Sequence, residues 1–410
     1  MIRRLCGVLV LTCLANASLA EDWSWWRGPG RDGIASAEQT LPREWSDEQG
    51  IAWQTPVPGR GHGSVIVIGD RLYLTTAEAE REARSLLCLR RDTGEQVWSV
   101  DVHRGNPTPF KNKKGSDASC TPACDGERLF VNFLHGGQMV TSAVSLDGKV
   151  LWQQPITDYI VHQAFGSSPA VYGPLVIVSA DNKSGGAVAG LDRETGEIVW
   201  RQERPATPNY ASPIILNVCG RDQLLLTGCD LVSSFEPLTG KKLWEIEGAT
   251  TECVTSTVVC GELMFSSGGY PRNHVAAIRC DGSGKVVWDS GTRVYVPSLL
   301  VKEGHLYGVT DAGVAMCWNC TTGEEQWKGR LGGTFSSSPV LVGEVILVVN
   351  EEGQAFEFRA RPDEFELLSE NQLGDECFST PTVCDGQIYV RVAKQTDDAR
   401  EEFVWCIGQK

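Results

Sequence analysis

Cys317-Trp318-Asn319-Cys320 has the two-residue spacing of a redox pair. Such pairs usually open a helix in an α/β fold, whereas this one leads into a Thr321-Thr322-Gly323 turn between strand-like runs. It is followed by Thr rather than His, so it is not a haem-attachment motif; a strained disulfide, free thiols and simple packing all stay open. The histidines are His62, His103, His135, His162, His274 and His305. None stands at metal-binding spacing from another, so no metal site is assigned. Asp181-Asn182 offers hard oxygen donors that suit calcium, but two ligands in a Gly/Ser-rich loop fall far short of a full set and read as a turn. Carboxylates such as Glu95, Glu197 and Glu324 sit in turn positions, and no Gly-x-Ser-x-Gly nucleophile elbow occurs. No catalytic residue is assigned.

Any site must therefore be built by the elements around it, and these repeat. Leu191-Asp192-Arg193-Glu194-Thr195-Gly196-Glu197-Ile198-Val199-Trp200 reads as a tight turn followed by a strand. Asp192 can hold the turn backbone, and Gly196 can take a positive φ. Related hairpins end at Trp98, Trp152, Trp244, Trp288 and Trp327. Each repeat opens with a small polar pair, as in Ser168-Pro169, Ser212-Pro213, Ser338-Pro339 and Thr380-Pro381, and then carries apolar runs separated by Gly-acid turns. Four strands per unit is the composition of a propeller blade. Openings at Ser64, Ser119, Ser167, Ser212, Ser256, Ser298, Ser338 and Thr380 give eight units with a mean step near 45 residues, the spacing of blades. The last unit lacks a fourth strand, while Ile51-Ala52-Trp53-Gln54-Thr55 carries the Trp signature without a unit of its own. The expected fold is all-β: an eight-bladed propeller of four-stranded antiparallel blades, closed by an N-terminal strand that completes the last blade. Expected boundaries are a signal peptide over 1–20, an N-terminal extension over 21–50 packed on the propeller through Trp23, Trp25 and Trp26, and the propeller over 51–410.

The small-polar-Pro opening combined with the Asp-x-x-Thr-Gly-x-x-x-Trp hairpin of Asp192 to Trp200 resembles the repeat of pyrroloquinoline-quinone (PQQ)-like β-propellers. That family holds quinoprotein alcohol dehydrogenases and also the non-enzymatic outer-membrane assembly propeller BamB. The resemblance spans roughly residues 51–407. It implies that Trp53, Trp98, Trp152, Trp200, Trp244, Trp288 and Trp327 pack between adjacent blades. The dehydrogenases also carry an adjacent Cys-Cys pair beside the quinone and loops that hold calcium; no two Cys are adjacent here.

The first strand of each blade lines the channel of a propeller, so residues just before each opening gather at one mouth. They are His62, Asp117, Phe165, Tyr210, Cys253, Tyr295, Phe335 and Phe378. Five aromatics from eight blades make a collar able to grip a planar ligand or a peptide side chain; the alternative is that they pack together and plug the channel.

Composition narrows the partners. The chain has 410 residues and a net charge of −15, and removal of the two arginines in its first 20 residues takes this to −17. Such acidity argues against nucleic acid, which needs a basic footprint. Arg3 and Arg4, the apolar run Leu5 to Ala15 and Ser18-Leu19-Ala20 follow the pattern of a secretory signal peptide cleaved near Ala20. The product is expected in the periplasm or outside the cell, without a membrane span. Of 15 Cys, 13 remain after Cys6 and Cys13 are removed, an odd number for an exported chain. The expectation is a monomeric, non-catalytic binding or scaffold propeller for an envelope protein or peptide, with no cofactor. The alternatives are a quinone-dependent alcohol or sugar dehydrogenase using PQQ and calcium, and a propeller that binds a small ligand such as a sugar.

Overall fold

The computed structural model describes residues 22–408 apart from 37, 43, 44, 47, 48, 110, 111, 113 and 398. The signal-peptide segment 1–20 lies outside the described residues. The strands form eight four-stranded sheets. Blades 1 to 7 cover 66–104, 123–158, 170–204, 214–247, 258–290, 300–330 and 340–372. Blade 8 takes Thr382–Cys384, Gln387–Gln395 and Arg400–Ile407 from the C-terminal end and Ile51–Val57 as its outermost strand. Trp53 pairs with Cys406 and Thr55 with Val404, antiparallel. The orphan Trp strand therefore closes the ring.

Burial follows position in the blade. The second and third strands are covered on both faces by neighbouring blades, so Leu175–Ser179 is buried throughout and reads as an unbroken apolar run. Outer strands face solvent on alternate residues, as Val150–Asp158 does. The core is a series of apolar layers between successive blades.

Two belts hold these layers in a ring. On the outside, six blades carry a Trp that donates its indole N–H to a hairpin carbonyl of the next blade, while the outer strand of blade 7, Leu367–Gln372, has no Trp. Trp53 reaches Arg91 at 3.0 Å, Trp98 reaches Leu146 at 3.0 Å and Trp152 reaches Arg193 at 3.2 Å. Trp200 continues to Pro237, Trp288 to Cys320 and Trp327 to Arg361. The hairpin Gly lies under that ring. A Cβ on Gly196, whose φ is +77°, would sit 2.6 Å from Trp152, and one on Gly94 would sit 2.4 Å from Trp53. Blade 4 departs from this pattern: Trp244 donates to Gln223 Oε1, Gln223 Nε2 passes the link to the Cys280 carbonyl, and Ile246 covers Gly284.

On the inside, the N–H of each opening residue donates to the hydroxyl of the next. The chain runs Ser64 to Thr121, Thr121 to Ser168 and Ser168 to Ser212, then resumes from Ser256 to Ser298, Ser338 and Thr380, all at 2.9–3.0 Å. Blades 2 and 3 thus open at Thr121 and Ser168, not at Ser119 and Ser167 as the sequence suggested. In both blades two or more small polar residues compete, and only the hydrogen bond to the preceding blade selects between them.

Trp53 is nearly buried and ties the chain's first strand to its last. Trp53→Ala is expected to remove about 3–5 kcal/mol of stability, measured by urea unfolding. An unchanged midpoint would contradict its closing role.

Candidate functional site

Inside the ring is a cavity of about 500 Å³ at one mouth of the channel. Its wall obeys a simple register: the residue two positions before each belt residue lines it. These are His62, Ser119, Gly166, Tyr210, Val254, Val296, Ser336 and Phe378. Phe165, Tyr295 and Phe335, three positions before, also reach it. Of the residues expected at the mouth, His62, Phe165, Tyr210, Tyr295, Phe335 and Phe378 come together. Asp117 and Cys253 do not line the cavity. The offset counted from Ser119 places Asp117 four residues ahead of the true belt residue, Thr121, so Ser119 takes the place. Cys253 stands three positions before Ser256, as Phe165, Tyr295 and Phe335 stand before their belt residues. Its small side chain is instead fully buried in the layer between blades 3 and 4, and its N–H donates to Asn209 Oδ1 at 2.8 Å. The collar does not plug the mouth.

The far end is closed. Residues 22–35 cross the channel beyond the belt and bond to inner strands around the ring. Trp23 exchanges backbone hydrogen bonds with Val67, Ser24 O accepts from Cys124 N, and Gly33 and Ala35 pair with Leu341. Arg27, buried at the centre, donates to the Pro339 carbonyl at 3.0 Å and to the carbonyls of Leu299 and Asp32. Burial lowers its pKa to about 10, so it stays a cation at neutral pH. Trp26 reaches up from this cork to line the cavity, and its indole donates to Ser256 Oγ at 2.8 Å. It fills the place where Ser212 would have bonded to Ser256 in the belt. The site is a blind cup with aromatic walls, hydroxyls at the belt and an indole in its floor. Sequence reasoning missed that floor; Trp26 shows only as one Trp among three.

Charge in the cup is matched among the described residues. Lys114 Nζ lies 2.7 Å from Glu351 Oε2, and Ser336 donates to Glu351 Oε1. Arg293 lies 3.9 Å from Asp311 and stacks over the Tyr295 ring. Burial raises the Asp311 carboxyl, opposed by the Tyr295 N–H it accepts at 2.8 Å. The Tyr295 hydroxyl donates to the buried Glu252, which also meets His162 at 3.1 Å. His62 stacks on Phe378 with ring centroids 4.5 Å apart. Burial, then the nearby Arg60, Arg391 and Arg400, push its pKa well below 6.5, so the ring is neutral at neutral pH.

The quinone implied by the resemblance is a tricarboxylate that works beside calcium. Among the described residues, the cup's cations Lys114 and Arg293 each already face a carboxylate. Among the described residues no group of three or more His, Cys, Asp or Glu is placed to hold a metal. Asp181 and Asn182 are occupied: Asp181 accepts from Arg204 and Asn209, and Asn182 Oδ1 accepts from the Ile160 and Ser184 N–H groups. These residues do not fit the quinone–calcium pair.

The fold and cup define a class: an eight-bladed propeller whose channel is corked at one end and open as an aromatic cup at the other. The chain belongs to the family described as outer membrane protein assembly factor BamB, within the PQQ-like propellers, which matches residues 43–158, 82–267 and 271–361. It is 31% identical to the outer membrane protein assembly factor BamB of Burkholderia pseudomallei (strain K96243), over 72% of each chain. It is also 23% identical to a polyvinylalcohol dehydrogenase of Sphingopyxis sp. (strain 113P3), covering 95% of this chain but 57% of that relative, little more than half its length. Among solved structures, the quinohemoprotein alcohol dehydrogenase of Comamonas testosteroni superposes with a TM-score of 0.66 at 14% identity, over 97% of this chain and 82% of that one. BamB of Moraxella catarrhalis superposes with 0.59 at 17% identity, over 86% and 97%. These structures share the fold. No helix among the described residues is long and apolar enough to cross a membrane.

His62 has a folded pKa below its unfolded value, as do His103, lowered to about 3, and His274, lowered to about 4, each chiefly by burial. Below pH 6.5 the unfolded chain binds more protons than the folded one, so these groups take stability away as pH falls toward 4. His62→Phe, which keeps the stack on Phe378, is expected to flatten this loss in urea midpoints across that range. An unchanged slope would contradict a neutral, half-buried His62.

Proposed function

We propose that this chain is an exported, non-catalytic propeller that holds an apolar or aromatic side chain of a partner polypeptide in the cup. One observation carries the reading: a cavity of about 500 Å³ whose walls are aromatic and whose charged groups, among the described residues, are paired with one another. Such a cup favours an uncharged, largely apolar insert, because a charged one would be desolvated without a free counter-ion. His62 and Phe378 give one flat wall and Tyr210 another, which suits a ring or a branched side chain. The relatives named as assembly factors support a protein partner in the cell envelope, and the sequence pattern over 1–20 supports export. A quinone enzyme is the weaker reading, since among the described residues the cup's cations already face carboxylates and no metal-binding group of three or more His, Cys, Asp or Glu is present.

The test is selection of peptides on the folded protein, followed by titration of a selected peptide. Tyr210→Ala and Phe378→Ala are expected to weaken binding about tenfold or more each. Val199→Asp, on the exposed outer edge of blade 3, should leave binding unchanged. Peptides that bind the Ala variants as tightly as the parent would overturn the reading. So would a red-shifted absorbance with dye-linked alcohol oxidation after addition of PQQ and calcium.

A further inference from the structure

The Cys317-Trp318-Asn319-Cys320 pair is split by the fold. Cys317 is buried in the layer between blades 6 and 7, beside Tyr307, whereas Cys320 belongs to the layer between blades 5 and 6. The two thiols lie on opposite faces of blade 6 and do not serve one another.

Cys320 has a different neighbour. It is the hairpin residue whose carbonyl accepts the Trp288 indole at 2.8 Å, the position held elsewhere by Arg91 and Arg193. That position faces the first turn of the preceding blade. Arg91 donates to the Cys384 carbonyl and pairs with Asp385 at 2.7 Å, and Arg193 lies 3.6 Å from Asp125, the residue after Cys124. Cys384 and Cys124 each end the inner strand of their blade, and Cys260 ends that of blade 5. So where other interfaces bring an arginine to this strand end, the interface of blades 5 and 6 brings thiol to thiol. Both belong to one apolar layer, and the Cys260 side chain is a direct neighbour of the Cys320 thiol. Cys260 is half-buried and Cys320 buried.

We infer that Cys260 and Cys320 form a disulfide that staples blade 5 to blade 6 when the folded protein meets a small-molecule disulfide such as oxidised glutathione. Cys260, the more accessible thiol, attacks as the thiolate, and its sulfur bonds to one glutathione sulfur while the other departs. Cys320 then attacks the Cys260 sulfur, and the second glutathione leaves. Two protein thiols are oxidised, one glutathione disulfide is reduced to two thiols, and the two thiol protons pass to the departing glutathiones. Burial raises the Cys320 pKa, so the second step is slow and oxidation should rise with pH. The bond closes a long loop and should stabilise the ring. The inference is independent of what the cup binds.

The test is to treat the folded full-length protein with oxidised glutathione at mildly alkaline pH, quench in acid, alkylate in denaturant and map the unreduced peptides. Cys260 and Cys320 are expected in one linked peptide, with Cys317 alkylated. Reductant should lower the thermal midpoint of the oxidised protein but leave Cys260→Ser unchanged. Alkylation of both Cys260 and Cys320 after oxidation, or a link from Cys320 to Cys317, would overturn the inference. The peptide map uses the unsubstituted chain, so it holds even if a variant folds poorly.

Discussion

The structure rests on the contact between a Trp indole and the hairpin of the next blade. A four-stranded blade has two faces to bury and too little core to stand alone, so its stability comes from its neighbours. The indole supplies apolar area over a glycine and one directed hydrogen bond to a carbonyl, and so sets both the distance and the register between blades. Gly196 is required by its own hairpin, through its φ of +77°, and again by Trp152 of the blade before it, which lies over it. The same contact explains the closure. Trp53 needs the Gly94 hairpin of blade 1, and its strand is held by blade 8, so the two ends of the chain are locked in one interface.

A ring locked from outside leaves its inner strands free to build a site. The belt hydroxyls fix the inner strands relative to one another, and the residue two positions earlier then lines the cup in every blade. Channel-wall chemistry is thus independent of the contacts that hold the fold, which lets one architecture carry an aromatic cup here and other chemistry elsewhere. The cork adds a second constraint. Arg27 satisfies carbonyls of blades 6 and 7 at the axis, and with Trp26 it turns a passage into a pocket.

The ring was legible in the sequence because its repeating contact uses residue types with few substitutes. Trp with a glycine three or four positions before it is rare enough to count, and the unmatched Trp53 revealed the closure. The cup was legible only in part. His62, Tyr210 and Phe378 stand at the right offset from unambiguous openings. Asp117 was misplaced because Ser119 and Thr121 both qualify as the opening residue of blade 2. Cys253 stands at the same offset as Phe165, Tyr295 and Phe335, but its small side chain is buried in the layer between blades 3 and 4 and does not reach the cavity. The cork was hidden for another reason: Arg27 binds backbone carbonyls hundreds of residues away and Trp23 pairs through its backbone with Val67, and such partners leave no mark in side-chain identity. The Cys-x-x-Cys spacing left disulfide, free thiols and packing open. The fold puts the two thiols in different layers, since a turn at the end of a strand sends residues three apart to opposite sides of the blade.

The central claim is that recognition takes place in the corked cup and not on the outer edges of the blades. A structure of the protein bound to a peptide selected on it tests this most directly. The account predicts a side chain of the peptide between Tyr210 and the His62–Phe378 stack, above Trp26. A peptide lying along an outer strand beside Val97 or Val199, with the cup unchanged, would contradict it.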